Sequence, residues 1–339
     1  MRRSALDLEM VAEWKNMTAA FQAASRGKTD RPEVRAFAEN LDAELGALRA
    51  EISSGAIRPG KMKSFWIRDP KLRLIHAPCF RDRVLHHALM SLAGPVLERS
   101  LIFDTYACRI GKGTLAAVQR CQHHARRYPI FAKIDIKGFF PSVDHGVLND
   151  LLARRFKNRQ LLGVLSRIIE AHGSGTGKGL PIGALTSQHF ANFYLAGLDR
   201  FLLEERKASG MVRYMDDIVW WGETLPRMRE TLGAVDAFAS EKFFLELKRP
   251  VEIGRSASGM TFCGYRILPG ALRLSRRRRR RYAERRSWWE NAYSKGVIDE
   301  RALQMGYDSV LAITAHAEAA AWRREQLRRR PIAGELLSI

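Results

Sequence analysis

Residues 213–220 read Arg-Tyr-Met-Asp-Asp-Ile-Val-Trp, two adjacent carboxylates set in the middle of a run of strand formers. A buried or half-buried acid costs free energy unless it is paired or binds a cation, and two neighbouring acids repel each other. The segment is therefore predicted as a hairpin over Met211 to Trp221 with Asp216 and Asp217 at its tip. A third isolated acid, Asp135, lies in Phe131-Ala-Lys-Ile-Asp-Ile, which reads as a buried strand. On the residues alone two readings stay open, a merely polar hairpin tip or carboxylates on neighbouring strands that hold divalent cations. In the second, oxygen-only ligands favour Mg²⁺ or Mn²⁺ over zinc. Two such ions suit in-line phosphoryl transfer, one activating the attacking hydroxyl and the other stabilising the leaving pyrophosphate.

The 339 residues carry 57 Lys+Arg against 36 Asp+Glu, a formal charge of +21, so a polyanion is the expected partner. A hydrophobic fraction of 46% excludes wholesale disorder. No run of about 18 apolar residues is present, so no membrane partner is expected. The N-terminus lacks an apolar signal core. Cys79, Cys108, Cys121 and Cys263 are widely spaced, which argues against a disulfide framework or a CxxC zinc site and for the cytoplasm. The charge is concentrated in Arg276 to Arg281, followed by Tyr282, Trp288 and Trp289. That pattern is either a solvated face or a basic helix with aromatic anchors that grips a nucleic-acid backbone.

Along the chain the pattern is α+β. Helices are predicted over Pro32 to Ser54, Arg81 to Leu97, Gly113 to Arg127, His145 to Ala171, Ser187 to Glu204 and Leu225 to Lys242. A strand pair is predicted at Lys63 to Ile67 and Leu72 to Ile75, turned through Asp69-Pro70. His172 to Gly179 reads as a loop, Phe244 to Leu247 and Met260 to Ile267 as strands, and everything after Gly270 as basic and helical. There is no internal repeat and no linker long enough to separate independent domains. His86-His87 and His123-His124 are adjacent pairs on presumed helices without metal-ligand spacing, so they are read as satisfied or exposed histidines. Trp220 and Trp221 are expected in the core.

Several motifs in order resemble those of reverse transcriptases. Tyr214-Met-Asp-Asp217 resembles their signature turn, and Asp135-Ile-Lys-Gly-Phe-Phe-Pro-Ser-Val-Asp-His145 resembles the first catalytic motif of the prokaryotic members. Leu180-Pro-Ile-Gly-Ala-Leu-Thr-Ser-Gln-His-Phe-Ala-Asn192 is similar to their template- and nucleotide-contacting loop and helix. Phe262-Cys-Gly-Tyr265 is similar to the primer-grip turn, and Lys71-Leu-Arg73 to the fingers segment that meets triphosphate. The resemblance implies a right-hand polymerase fold: an N-terminal helical extension (1–60), fingers and a palm with an antiparallel sheet (61–269), and a short basic helical thumb (270–339). It implies RNA-templated DNA synthesis with two Mg²⁺ ions (Mn²⁺ as an alternative), deoxynucleoside triphosphates, template RNA and the RNA–DNA hybrid.

Carried over residue by residue, Asp135, Asp216 and Asp217 become the catalytic metal ligands. Arg73 and Lys71 would meet the triphosphate, although Lys71 also fits a solvated surface lysine. Phe140 would be the steric gate against a 2′-hydroxyl, with core packing as its other reading. Ile182, Gly183 and Gln188 would border the nascent base pair, Gly183 by allowing close backbone approach. Arg276, Arg277, Arg280 and Arg281 would grip nucleic acid. Many relatives have glutamine at Ile182 and proline at Gln188. The lysine proposed as general acid in polymerases has no clean match, Lys248 being a weak candidate left out of the site. Asp104-Thr-Tyr-Ala-Cys-Arg-Ile-Gly-Lys-Gly-Thr114 and Thr186-Ser-Gln188 resemble the enzymes of diversity-generating retroelements. Those copy a template repeat with errors at adenine and are assisted by a small basic accessory protein oligomer. Anti-phage defence and retron enzymes share much of this motif set. A catalytically silent RNA-binding scaffold is the rival from another class, against which the intact aspartate set speaks.

Overall fold

Four helices, Leu8–Ala12, Trp14–Ser25, Pro32–Glu39 and Leu41–Ser54, open the chain and bury Val11, Met17, Phe37, Leu48 and Ile52 at helical spacing. The structure, a computed structural model, describes residues 2–68, 71–171 and 175–331. The hairpin β1 (Lys63–Arg68) and β2 (Leu72–Ala77) follows as a separate two-stranded sheet, antiparallel, with every residue of β1 exposed. Helices Phe80–Glu98 and Thr114–Arg127 lead to β3 (Ile130–Ile134). β4 (Gly210–Tyr214), β5 (Asp217–Gly222) and β6 (Glu252–Arg255) complete an antiparallel sheet of order β4-β5-β3-β6. A smaller antiparallel sheet joins β7 (Met260–Phe262), β8 (Tyr265–Ile267) and β9 (Leu272–Leu274), and helices Arg276–Ser294, Glu300–Ala312 and Ala320–Arg329 close the described chain.

The four-stranded sheet is covered on both faces, which explains why its strands read as apolar runs rather than as alternating ones. Ile134, Ile218 and Trp220 face the large core shared with the N-terminal helices. Phe131, Val219 and Trp221 face a second core built with Ala117, Val118 and Cys121 of helix Thr114–Arg127 and with Phe262, Tyr265 and Ile267 of the small sheet. Both tryptophans are fully buried, as expected.

Several sequence expectations are corrected. The helix expected over Pro32 to Ser54 breaks at Asn40, whose backbone leaves the helical region, and the one over His145 to Ala171 divides into His145–Ala153 and Arg159–Glu170. In each half an Asp144 or Asn158 side chain accepts from a backbone N–H of the first turn, so the second half restarts with its own cap. The helix over Ser187 to Glu204 is three pieces, Leu185–Tyr194, Ala196–Arg200 and a π-turn Phe201–Glu205. Phe244 to Leu247 is not a strand. Phe244 takes a left-handed φ of +52° at a helix C-cap, and the extended stretch after it makes one bridge, Leu247 to Ile136. The strand on that edge of β3 lies further on, at β6. Met260 to Ile267 is a hairpin rather than one strand, and the segment after Gly270 begins with β9, not with helix. The turn Asp69-Pro70 and the His172–Ser174 part of the glycine-rich loop fall outside the described residues.

Candidate active site

Tyr214 pairs with Asp217 across β4 and β5, leaving Met215 and Asp216 as a two-residue hairpin loop. Met215 has a φ of +57°, the left-handed conformation that matches such a loop to strand twist. β3 runs beside β5 with Ile134 opposite Ile218, and one further step of that register sets Asp135 opposite Asp217. Lys133 lies two residues before Asp135, on the same face of the pleat. Strand pairing thus gathers three carboxylates from two sequence segments.

Their electrostatics are those of a site with too much negative charge. Burial raises Asp216 to about 6, and the charges of Asp135 and Asp217 push the same way. Asp217 is also raised, chiefly by burial, with Asp135 adding to the shift and Lys133 opposing it. Two ammonium groups offset part of the charge. Lys248 Nζ donates to Asp135 Oδ2 at 2.8 Å, and Lys133 Nζ lies 3.7 Å from Asp217 Oδ1 while donating to the Thr261 carbonyl at 3.0 Å. The bond to Asp135 in turn raises Lys248. Among the described residues no three acidic, histidine or cysteine side chains are gathered closely enough to hold an ion as they stand. The donor set nevertheless fits a hard divalent cation, being all oxygen, convergent and mutually repelling.

The hairpin tip forms the floor of a cleft of about 1370 Å³. Its walls bring together most of the sequence-predicted residues: Arg73, Phe140, Ile182, Gly183 and Gln188, with Arg276, Arg277 and Arg281. Asp135, covered by Lys248, does not line it, and neither does Lys71. Arg280 does not line it either. It is turned to Glu284 on its own helix, with Nε and Oε1 3.1 Å apart. The Phe140 ring is half-buried, packed edge-on against Phe139 with centroids 5.7 Å apart, and also lines the cleft. Cys263 and Gly264, with φ of +46° and +83°, form the β7–β8 turn beside the acids.

Gly183, which lines the cleft, is also packed tightly against the β1–β2 hairpin. A Cβ there would lie 2.9 Å from Ile75 Cγ2 and 3.1 Å from the His76 carbonyl oxygen, so its backbone lies directly against β2. The contact is fixed by the His76 N–H donating to the Ile182 carbonyl at 2.8 Å. Sequence reasoning missed Lys133 as a site residue, although its spacing from Asp135 in a strand was a usable signal. Lys248, set aside at the sequence level, lies 113 residues from its partner Asp135, and no local pattern could have joined them.

Against known proteins, the model of the family described as reverse transcriptase (RNA-dependent DNA polymerase) matches residues 64–250. The chain belongs to the reverse transcriptase family. Its architecture is accordingly the right-hand polymerase fold, with mixed helices and antiparallel sheets. It is similar to Protein YkfC of Escherichia coli (strain K12), 26% identical over 238 residues, which is 66% of this chain and 61% of YkfC. It is also similar to the group II intron-encoded protein LtrA of Lactococcus lactis subsp. cremoris, 23% identical over 162 residues, covering 45% of this chain and 27% of LtrA. The chain therefore spans less than two-thirds of the length of these curated relatives. Among solved structures, apo telomerase from Candida tropicalis aligns with a TM-score of 0.49 at 11% identity, over 70% of this chain and 53% of that one. No helix among the described residues is long and apolar enough to cross a membrane.

Proposed function

We propose that this chain is an RNA-directed DNA polymerase that extends a primer along an RNA template with deoxynucleoside triphosphates. The observation that carries the reading is a single cleft that joins an acidic hairpin tip, an exposed Arg73 and a wall of arginines. Asp135 and Asp216 would hold divalent Mg²⁺, with Mn²⁺ able to replace it, and Asp217 would complete the set. Bound there, the metal would lower the pKa of the primer hydroxyl and neutralise the leaving pyrophosphate. Arg73 pairs with triphosphate oxygens through its planar, permanently charged fork. The Phe140 ring rejects a 2′-hydroxyl by shape. Arg276, Arg277 and Arg281, from a thumb we assign to residues 270–339, follow the sugar-phosphate backbone of the hybrid. Lys248, on its irregular segment beside Asp135, supplies the general-acid ammonium. The activity belongs in the cytoplasm, with template and nucleotides. Primer extension on a defined RNA template tests the reading, and a protein that binds template–primer without extending it would support the silent scaffold instead.

Within that activity we assign the chain to diversity-generating retroelements, on the strength of Asp104 to Thr114, Ile182 and Gln188, with a basic accessory oligomer as partner. The similarity to LtrA, named as a group II intron-encoded protein, favours a second reading in which the template is an intron-like RNA. Sequencing the RNA that copurifies with the protein separates the two. A template-repeat transcript supports diversification, an intron supports the second reading, and a defence or retron RNA would replace both.

A further inference from the structure

Arg213 immediately precedes the signature turn and is fully buried, as is its partner Asp199. We propose that Arg213 is a positioning residue. By holding the peptide unit before Asp216 it sets the direction of that carboxylate and ties it to the helix that lines the nucleotide side of the cleft. This inference rests on the polymerase reading above.

The guanidinium uses all of its nitrogens. Nε donates to Asp199 Oδ1 and Oδ2 at 2.7 and 3.0 Å, and Nη2 donates to Asp199 Oδ2 at 2.7 Å and to the Asn192 carbonyl at 3.0 Å. Nη1 donates to Asn192 Oδ1 and to the Met215 carbonyl, both at 3.1 Å. The last bond is the informative one. The Met215 carbonyl and the Asp216 N–H belong to one rigid peptide plane, so fixing that oxygen fixes the departure of the chain into Asp216. Met215 is held at a φ of +57°, a conformation that a residue with a side chain adopts only where its surroundings impose it.

The other end of the network reaches the cleft wall. Asn192 and Gln188 are four residues apart in helix Leu185–Tyr194, hence on one face, and Gln188 lines the cleft. Asn192 Nδ2 also donates to the Ala107 carbonyl at 2.8 Å, and the Thr105 hydroxyl donates to Asp199 Oδ2 at 3.4 Å. The Arg213 backbone exchanges bonds with the same segment, its N–H donating to the Asp104 carbonyl and its carbonyl accepting from the Tyr106 N–H, each at 2.9 Å. Arg120 Nε and Nη2 hold the Asp104 carboxylate at 2.9 and 3.0 Å. Asp104 to Ala107, the first part of a motif that the polymerase chemistry leaves without a role, is therefore the outer frame of this clamp. A buried ion pair is a poor source of net stability compared with apolar residues of similar size. What this one provides is a fixed geometry shared by the metal-side turn and the nucleotide-side helix.

The test uses two variants of the full chain. Arg213→Met with Asp199→Leu replaces the pair by apolar side chains of similar length, so no lone charge is left buried. Arg213→Lys keeps the charge opposite Asp199 but loses the planar fork that spans Asp199, Asn192 and Met215 together. Each is measured for cooperative thermal unfolding, for template–primer affinity without divalent metal, for Mn²⁺ affinity by electron paramagnetic resonance, and for kcat and KM of nucleotide addition. The expected result is cooperative unfolding and unchanged template–primer affinity. Mn²⁺ affinity and kcat should each fall about 10–100-fold, the range for residues that orient metal ligands, with KM nearly unchanged. Wild-type Mn²⁺ affinity and kcat in either folded variant would overturn the proposal, as would loss of cooperative unfolding in both, which would make Arg213 a stability element alone. If the wild-type chain fails to extend primers while Mn²⁺ binding still weakens in the variants, the polymerase reading fails and the clamp stands.

Discussion

Asp216 carries the strongest residue-scale consequence. An aspartate ordinarily titrates near 3.9, and here burial and two neighbouring carboxylates raise it to about 6. Because the folded value lies above the unfolded one, the stability linked to its proton is fully present below about pH 4 and is lost as pH rises through about 6. Asp216→Asn has no such proton to lose. In metal-free protein the variant should therefore gain on wild type across that window, by on the order of 1 kcal/mol after solvent screening, as read by thermal unfolding. Mg²⁺ should raise the wild-type midpoint and leave the variant unmoved, and primer extension by the variant should be abolished. Ile182 gives a second prediction. It lines the cleft, and in the function proposed above it would offer only apolar contact to a base pair, whereas discrimination built on hydrogen bonds is steeper than discrimination by shape. Wild type should misincorporate often, mainly opposite template adenine, and Ile182→Gln should lower that error, about tenfold for each 1.4 kcal/mol of added discrimination. Deep sequencing of cDNA from a defined template decides it, and a low error rate independent of the base would reject the retroelement reading. At this scale the acids were legible because charge inside a strand pattern is conspicuous. Lys248 was not, because its role depends on a bridge between an irregular segment and Asp135, made also by the Lys248 N–H to the Asp135 carbonyl at 2.8 Å.

Among the elements, helix Arg276–Ser294 shows what an arginine run can and cannot announce. The sequence marks the helix, capped by Ser275, but not how the run divides around it. Arg276, Arg277, Arg278, Arg279 and Arg281 line the cleft, whereas Arg280 faces Glu284 outside it. Arg278 lies over the Tyr265 ring at 4.1 Å, and Arg286, buried, donates to Glu290 and to the carbonyls of Gln326 and Arg330. Replacing Arg276, Arg277 and Arg281 by serine should weaken duplex binding at any sequence and flatten the slope of log affinity against log salt by up to about one unit per lost phosphate contact. Arg280→Ser should leave the slope unchanged. Fluorescence anisotropy at several salt concentrations measures both, and equal slopes for the triple variant and wild type would remove this helix from the nucleic-acid interface. Strand β9 escaped notice because it has three residues, too few for a periodicity to register.

The whole molecule is organised around a sheet with two cores, and the adjacent Trp220 and Trp221 serve one each. Trp220→Ala and Trp221→Ala should each destabilise by about 3–5 kcal/mol. Unfolding should stay cooperative, because each substitution loosens the same sheet from a different side, and denaturant titration with two spectroscopic probes checks both points. His124 packs against Trp221 in the second core, with centroids 5.1 Å apart, and burial holds its pKa down at about 4, helped by Arg120. A histidine depressed below its unfolded value of about 6.5 gives stability that is complete above that pH and declines as pH falls towards 4. His124→Phe should flatten that part of the stability profile. The unbroken apolar runs announced strands buried on both faces, but the partners that cover them, helix Thr114–Arg127 with the small sheet on one side and the N-terminal helices on the other, were not legible because they come from distant segments.

The contact between Gly183 and β2 reaches beyond any one catalytic cycle. The seam between the exposed β1–β2 hairpin and the loop before helix Leu185–Tyr194 closes because a methyl group is missing at this position, and the φ of +123° disfavours any side chain there. Glycine and alanine codons differ by one base. A single mutation at Gly183 would therefore wedge the hairpin outward from Ile75 and His76 while leaving the acidic floor untouched. One base change thus reaches the wall of the cleft through its backbone packing, at a place separate from the acids that the chemistry proposed above would use.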